Sequence, residues 1–591
     1  MLPIRRYWKL LRTYLEPQWR RVALLALLLS GKIAARLINP QIIRAFLDGA
    51  LAGAPLESLL RDGALFMLIA AATQCLTVAN LYVSESVAWT ATNGLRRDVF
   101  RHLLGLDLAF HKGHTPGELA ERIDSDVDAL SNFFARFALN VIGNGVLAVG
   151  ILLLLFREGW QLGVGGALFA VGGLVVLVRL RKLTVPYWER LHDVRARFYG
   201  MVGEQLAGTE DIQANGAQGY VMQRLYQALR GWLPVRRQTE LAAYSGWMTN
   251  AALVAVGECL SYGLAGYLVF RGRLTLGAAY LVANYFGLLF GQIAELRWQI
   301  SDLQHADAGM GRVEALLSRR PTVRDSHERR LPEGALPVAL DAVSFAYADG
   351  AEVEDGQAAA AEPVLRDISF RLEPGSTMGL LGRTGSGKTT LARLLLRLYD
   401  PSEGCVRLGE VPLTATSRRD VRSRVALVTQ EVQLFRGSVR DNLTLFDQSI
   451  PDEQLLGIVV EVGLGAWLAT LPEGLATRLD AGGTGLSAGQ AQLLALARVF
   501  LTDPGLVILD EASSRLDPAT ERLLEQAVGR LLEGRTAIII AHRLRTVQRA
   551  DRLLILEEGR IVEQGERLSL ASDPTSHFHR LLQTGLEQVL A

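Results

Sequence analysis

The sequence predicts a membrane-embedded α-helical domain of six spans joined to a cytosolic α/β domain built around a phosphate-binding loop. Three observations carry this reading: apolar stretches of span length in the first half, an arginine bias in the connections between them, and a glycine-rich loop set between strand and helix in the second half. At 591 residues the chain is too long for one hydrophobic core. Its 49% hydrophobic content is high for a soluble protein and is concentrated in the first half. A formal net charge of +1 gives no overall attraction to nucleic acid. No basic-aromatic module stands outside the membrane-facing segments either, so nucleic acid is not an expected partner. Cys75, Cys259 and Cys405 lie far apart without CxxC spacing, which argues against a disulfide framework and against a zinc site.

The chain begins with Arg5, Arg6, Lys9, Arg12, Arg20 and Arg21 interleaved with Trp8, Tyr14 and Trp19. That pattern reads as a basic, aromatic helix on the inner membrane face (residues 1–20) and lacks the layout of a cleaved signal. Apolar stretches follow at about Val22–Leu47, Gly63–Val83, Phe137–Phe156, Trp160–Leu180, Trp247–Phe270 and Leu274–Ile293. Each approaches the roughly 20 residues a helix needs to cross a bilayer. The connections Arg96–Arg136 and Arg179–Arg237 are long and rich in Arg, and those near Ala50–Arg61, Arg157–Gly159 and Arg271–Arg273 are short. The positive-inside tendency therefore puts the long connections and both termini in the cytosol, as in a multi-pass protein of the cell (inner) membrane. Leu95–Leu104 and Val194–Leu229 have helical spacing and no Pro, and glycines mark breaks near Gly113–Gly117 and Gly208–Gly219. These are levers that extend beyond the bilayer and turn at their tips.

The transmembrane domain is expected over residues 21–318, a polar linker over 319–336 and an α/β domain over 337–591. Short β-type runs at Val338–Tyr347, Met378–Leu381, Val425–Val428 and Leu506–Leu509 alternate with helical patterns, and a low-complexity acidic insert occupies 348–362. Directly after the apolar run MGLL comes Gly382-Arg383-Thr384-Gly385-Ser386-Gly387-Lys388-Thr389-Thr390, a GxxxxGK[ST] loop leading into a helix. Backbone N–H groups in such a loop wrap a phosphate chain, Lys388 would neutralise the terminal phosphates, and Thr389 would place its hydroxyl on Mg²⁺. The apolar run Leu506–Leu509 ends in Asp510 and Glu511. The first carboxylate suits a water-mediated Mg²⁺ contact and the second suits polarising an attacking water.

Leu486-Ser487-Ala488-Gly489-Gln490, followed by AQLLALARVF, resembles the signature motif of ABC ATPases. Together with TPGELAERIDSDVDAL after the second span, it makes nearly the whole chain similar to exporter-type ABC half-transporters. The implied fold is an exporter-type six-span membrane domain fused to an α/β P-loop ABC ATPase domain. The resemblance further implies that Tyr347 stacks on adenine, Gln430 touches Mg²⁺ and the membrane domain, and Ser514–Asp517 form the loop after the Walker B strand. It makes His542 the γ-phosphate switch and Glu511 the catalytic carboxylate. Ser487, Gly489, Gln490 and Asp517 would then complete an ATP site across two subunits, and the helix breaks would be coupling helices. Two departures stand out: Ala488 where Gly is usual, and Ala481 where many such exporters carry glutamate. The partner is a second half-transporter, with a homodimer slightly favoured over a heterodimer. The expected function is ATP-driven export of a drug, lipid or other amphiphile. An importer on an exporter-like fold and an ATP-gated channel or membrane regulator are the alternatives.

Lys32 and Arg36 stand i, i+4 apart near the middle of the first span. A charge there costs about 2.5–3.5 kcal/mol on insertion scales. Glu85 and Glu258 are candidate acidic counterparts, so the four residues are read either as internal ion pairs or as a pathway favouring an anionic or amphiphilic substrate. Arg44, nearer the outer interface, is expected to snorkel.

Overall fold

The computed structural model describes residues 12–128, 138–347, 362–430, 432–480, 482, 485–510, 518–541 and 547–584. The chain divides into two compact units. One comprises Met1–Leu104 and Gly117–Ser318, and the other Gly105–Pro116 and Arg319–Ala591.

The first unit is helical. Its long helices are α1 (Trp19–Leu51) and α2 (Leu56–Gly105), and the intervening turns up to residue 121 are α3 (Leu108–Lys112) and α4 (Pro116–Glu121). Then come α5 (Ala138–Glu158), α6 (Trp160–Ala207), α7 (Thr209–Ala214), α8 (Gln218–Phe270) and α9 (Leu276–Ser318). Four helical runs are long and apolar enough to cross a membrane among the described residues: Arg12–Leu51, Leu56–Gly105, Trp160–Ala207 and Gln218–Phe270. The other two apolar stretches are also helical, within α5 and α9. The breaks expected at the glycines occur at Gly113, between α3 and α4, and around the short α7.

Core residues on α5 (Leu147, Ile151, Leu155) and α9 (Leu281, Tyr285, Leu289) recur every fourth position, so each helix turns one stripe into the same cluster. Gly257 of α8 lets the Phe169 ring of α6 approach, since a Cβ there would fall 2.5 Å from Cζ. At the ends of α1, α5 and α9 that meet short connections, Arg44 pairs with Glu158 at 2.5 Å. Asp48 accepts from the Thr275 hydroxyl at 2.8 Å and the Gly277 N–H at 2.9 Å. Arg44 thus has a protein partner, where snorkelling to the interface was expected. Toward the other end, a π-helical turn at Arg122–Asp126 presents Asp126 to Arg312 of α9 as a two-point ion pair.

The second unit is an α/β domain. Its strands are β1 (Val338–Phe345), β2 (Leu365–Leu372), β3 (Thr377–Gly382), β4 (Glu403–Leu408), β5 (Val411–Pro412), β6 (Val425–Val428), β7 (Gly437–Ser438), β8 (Arg478–Leu479), β9 (Leu506–Asp510), β10 (Thr536–Ile540), β11 (Arg552–Glu557) and β12 (Arg560–Glu566). A six-stranded sheet runs β12-β11-β3-β10-β9-β6 and a four-stranded antiparallel sheet runs β2-β1-β4-β5. Only β12 is antiparallel in the larger sheet. Its central strands β3 and β10 are buried at every residue, as expected where helices cover both faces. The parallel order places the carboxyl ends of β3, β10, β9 and β6 side by side. In open α/β sheets that edge is where ligands bind.

The turn α3 belongs to this second unit although it follows the second long helix in sequence. Leu108 and Ala109 pack on the hydrophobic cluster that contains Phe345, Leu391 and Tyr399. Asp107 caps α3 and also accepts from Thr322 N–H and hydroxyl, both at 2.5 Å.

Candidate functional site

Strand β3 runs into the glycine-rich loop and then into α10 (Lys388–Leu395). At Gly387 the backbone has φ +105, and a Cβ would fall 2.5 Å from Leu365 Cδ2. At Gly382 a Cβ would fall 2.3 Å from the Leu556 carbonyl oxygen. The loop is therefore drawn tightly onto the sheet, leaving its backbone N–H groups at the start of α10 to face a ligand. Arg383, Thr384 and Gly385 stay exposed at the rim, whereas Ser386, Lys388 and Thr390 are buried and Thr389 is exposed. Lys388 Nζ donates to the Gly382 and Arg383 carbonyls at 2.6 and 2.9 Å, folded over the loop it would neutralise. Ser386 Oγ is buried without a hydrogen-bond partner. A cradle closed to side chains, a shielded lysine and an unsatisfied hydroxyl fit a polyphosphate.

Tyr347 lies against this loop. Its hydroxyl is 2.9 Å from Thr390 Oγ1 and accepts from Arg393 at 3.0 Å. Its ring meets Phe345 and Tyr399 in T-shaped contacts, and Lys112 Nζ sits 4.2 Å from its centroid. A fixed aromatic ring beside the phosphate cradle is a surface on which a purine could stack. Sequence reading missed Lys112 and Arg393. Arg393 is three residues beyond Thr390 on one helix, so helical register could have found it. Lys112 reaches the ring only through the docking of α3, which has no local signal.

Gln430 is exposed just beyond β6, and Asp510 ends β9, the neighbouring parallel strand. With Thr389 they carry the kind of oxygen donors that Mg²⁺ favours. β10 pairs with β9 so that Ile540 is opposite Asp510. Glu511, Asp517 and His542, like Ala481 and residues 348–361 of the acidic insert, lie outside the described residues.

Ser487 stands elsewhere in the same unit. It caps α15 (Ala488–Thr502) in a reciprocal box: Ser487 Oγ accepts from Gln490 N–H at 3.2 Å, and Gln490 Oε1 accepts from Ser487 N–H at 2.9 Å. (Between α10 and α15 come α11, Arg418–Arg424; α12, Val439–Thr444; α13, Asp452–Glu461; and α14, Gly465–Thr470.) Gly489 is buried in the first turn, and Ala488 takes an ordinary helical backbone, so its methyl is accommodated. Leu493, Leu494 and Leu496 of α15 pack in one hydrophobic cluster, while Leu391, Leu394 and Leu395 of the phosphate-loop helix pack in another. The positive end of α15 carries a polar cap, and among the described residues its hydrogen bonds run between Ser487 and Gln490.

In the membrane unit, Lys32 and Arg36 are half-buried on α1, Glu85 is half-buried on α2 and Glu258 is exposed on α8. No ion pair joins either cation to an acid among the described residues.

Comparison with known proteins adds two family matches. The model of the ABC transporter transmembrane region matches residues 22–293, and that of the ABC transporter family matches residues 365–514. The chain is 31% identical to the ATP-dependent lipid A-core flippase of Chromobacterium violaceum, covering 83% of this chain and 82% of the flippase. It is 28% identical to the probable multidrug resistance ABC transporter ATP-binding/permease protein YheH of Bacillus subtilis, over 86% of this chain and 75% of YheH. Its fold matches the ATP-bound structure of a bacterial Atm1-family ABC exporter with a TM-score of 0.82 at 23% identity, over 96% of this chain and 99% of that one.

Proposed function

The chain belongs to the ABC transporter family as an exporter with membrane and ATPase regions in one polypeptide, and from that premise we propose that two copies sandwich two Mg-ATP to move an amphiphile outward across the cell membrane. ATP-driven export is the activity of the family to which it belongs. The two-copy reading is supported by the chain's single membrane region and single ATPase region, and by the Ser487 cap, whose hydrogen bonds among the described residues are with Gln490 and not with the phosphate loop. A signature helix end gains a phosphate only if a second chain presents its own loop to it.

In this reading Lys388 and the loop N–H groups hold the β- and γ-phosphates, Tyr347 stacks on adenine, and the mate's Ser487, Gly489 and Gln490 close the γ side. Gln430, Thr389 and Asp510 would hold Mg²⁺, which neutralises charge building on the phosphate oxygens. Glu511 orients the attacking water and His542 contacts the γ-phosphate. Closing the ATPase units around nucleotide shifts the membrane helices outward, and hydrolysis resets them. An amphiphilic cargo is supported by the naming of the relatives, a lipid A-core flippase and a probable multidrug transporter. Placement in the inner membrane with both ends cytoplasmic is supported by the arginine-rich long connections.

The test is turnover in lipid. Glu511→Gln should retain ATP binding yet lose about 10²-fold or more in hydrolysis, the range for removing a positioned base. Lys388→Ala should weaken nucleotide binding itself. Wild-type-like hydrolysis by the Glu511 variant would refute the assignment.

A further inference from the structure

Resting on the reading of this chain as an exporter of amphiphiles, we infer that Lys32, Arg36 and Asn39 on the first span form a recognition site for the anionic headgroup of the cargo. The three occur at i, i+4 and i+7 of α1, so they share one face. Leu27, Ala34, Ile38 and Ala45 of the same helix are exposed. At the helical repeat the polar trio lies about 150° around the helix from them. It therefore does not share the face on which these exposed residues lie.

A neighbouring stripe of α1 is already occupied by protein. Gly143 and Gly150 of α5 make room for Leu29 and Leu37, where a Cβ would fall 2.9 and 3.0 Å from the leucine methyls. Gln41 Nε2 donates to Tyr285 Oη at 2.9 Å, and that hydroxyl donates to the Leu37 carbonyl at 2.8 Å. The polar groups of that stripe satisfy one another. The trio differs on this point.

Neither Lys32 nor Arg36 has a hydrogen bond or ion pair to an acid among the described residues, and Asn39 Oδ1 is buried without a partner. Glu85 and Glu258, the acids that could have neutralised them, are not joined to them. Cations inside a membrane domain face a partner or a polar cavity, and among the described residues no acid pairs with these two. The guanidinium of Arg36 offers a planar fork, Lys32 a compact charge one turn away, and the Asn39 amide a neutral donor and acceptor. Such a set suits a headgroup with several anionic oxygens, of which a phosphomonoester is the simplest example.

The experiment uses the full chain in vesicles of zwitterionic lipid. Three probes with the same acyl tails carry a phosphomonoester, an uncharged hydroxyl or a cationic headgroup, and ATPase stimulation and probe flipping are read for each. K32Q/R36Q should raise the half-stimulating concentration of the phosphomonoester lipid by about tenfold or more, as expected for losing charge-assisted contacts, with a change under about twofold for the cationic lipid. K32R/R36K should restore the phosphomonoester response. If the double variant does not fold, K32Q alone carries the same readout. Equal loss for all three probes, or an unaltered phosphomonoester response, would overturn the site in favour of structural pairing with the second copy. Stimulation by inorganic phosphate alone would overturn the amphiphile as its ligand. A wild-type chain that moves the neutral and cationic lipids but not the phosphomonoester sinks the site alone. One that hydrolyses ATP and moves none sinks the amphiphile-export reading with it.

Discussion

At Asp107 one carboxylate does two jobs: it caps the turn α3 and accepts both the N–H and the hydroxyl of Thr322, fastening that turn within the ATPase unit. Burial alone would raise its pKa, but the Thr322 hydrogen bonds and the Phe110 N–H together outweigh it and hold the carboxyl below the usual value. A lowered folded-state pKa means the stabilisation is complete above the unfolded value of about 3.9 and is lost as pH falls through the folded one. Asp107→Asn should therefore cost about 1 kcal/mol near neutrality. In thermal melts the gap between wild type and variant should close on acidification, because the amide does not titrate. A gap that widened toward low pH would contradict the assignment. The break near Gly113 was legible in the sequence because glycine marks it locally. The membership of α3 in the second unit was legible only through the family resemblance, which makes the helix breaks coupling helices docked on the ATPase, because the Thr322 contact joins distant segments that no periodicity encodes. Lys112 over Tyr347 was hidden for the same reason.

Among the elements, those with local signals were the readable ones. The phosphate loop was visible because strand, glycine turn and helix are contiguous, and α15 because Ser487 and Gln490 spell a capping box. The membrane helices followed from length and hydrophobicity, down to the helical character of α5 and α9. Side-chain partners within them did not: the distance rule for snorkelling described Arg44, whereas packing brings Glu158 to it. The capping box predicts a separable pair of effects. Ser487→Ala should remove about 1 kcal/mol of helix stability and sharply lower ATPase, whereas Ala488→Gly should change ATPase by less than about twofold, since N1 needs only a helical backbone. Steady-state hydrolysis in lipid measures both. A large gain from Ala488→Gly would show that the methyl obstructs the partner's phosphate.

For the whole molecule, the proposed division of one ATP site between two chains would set the oligomer. Differently tagged copies of Glu511→Gln expressed together should co-purify through either tag in the presence of ATP, and a chain that purifies alone under those conditions requires a different mate. Sequence indicated a dimer and left its symmetry open, because a surface for a second copy has no period of its own. A further consequence follows from the end of the first span. Asp48 there serves the start of α9, taking the Thr275 hydroxyl and the Gly277 N–H from 227 and 229 positions downstream. During synthesis Asp48 therefore has, among the described residues, only Arg44, one turn back on its own helix at 3.7 Å, as a partner until α9 is made. The full set of contacts at this end, two hydrogen bonds added to that ion pair, exists only once α9 has joined the bundle.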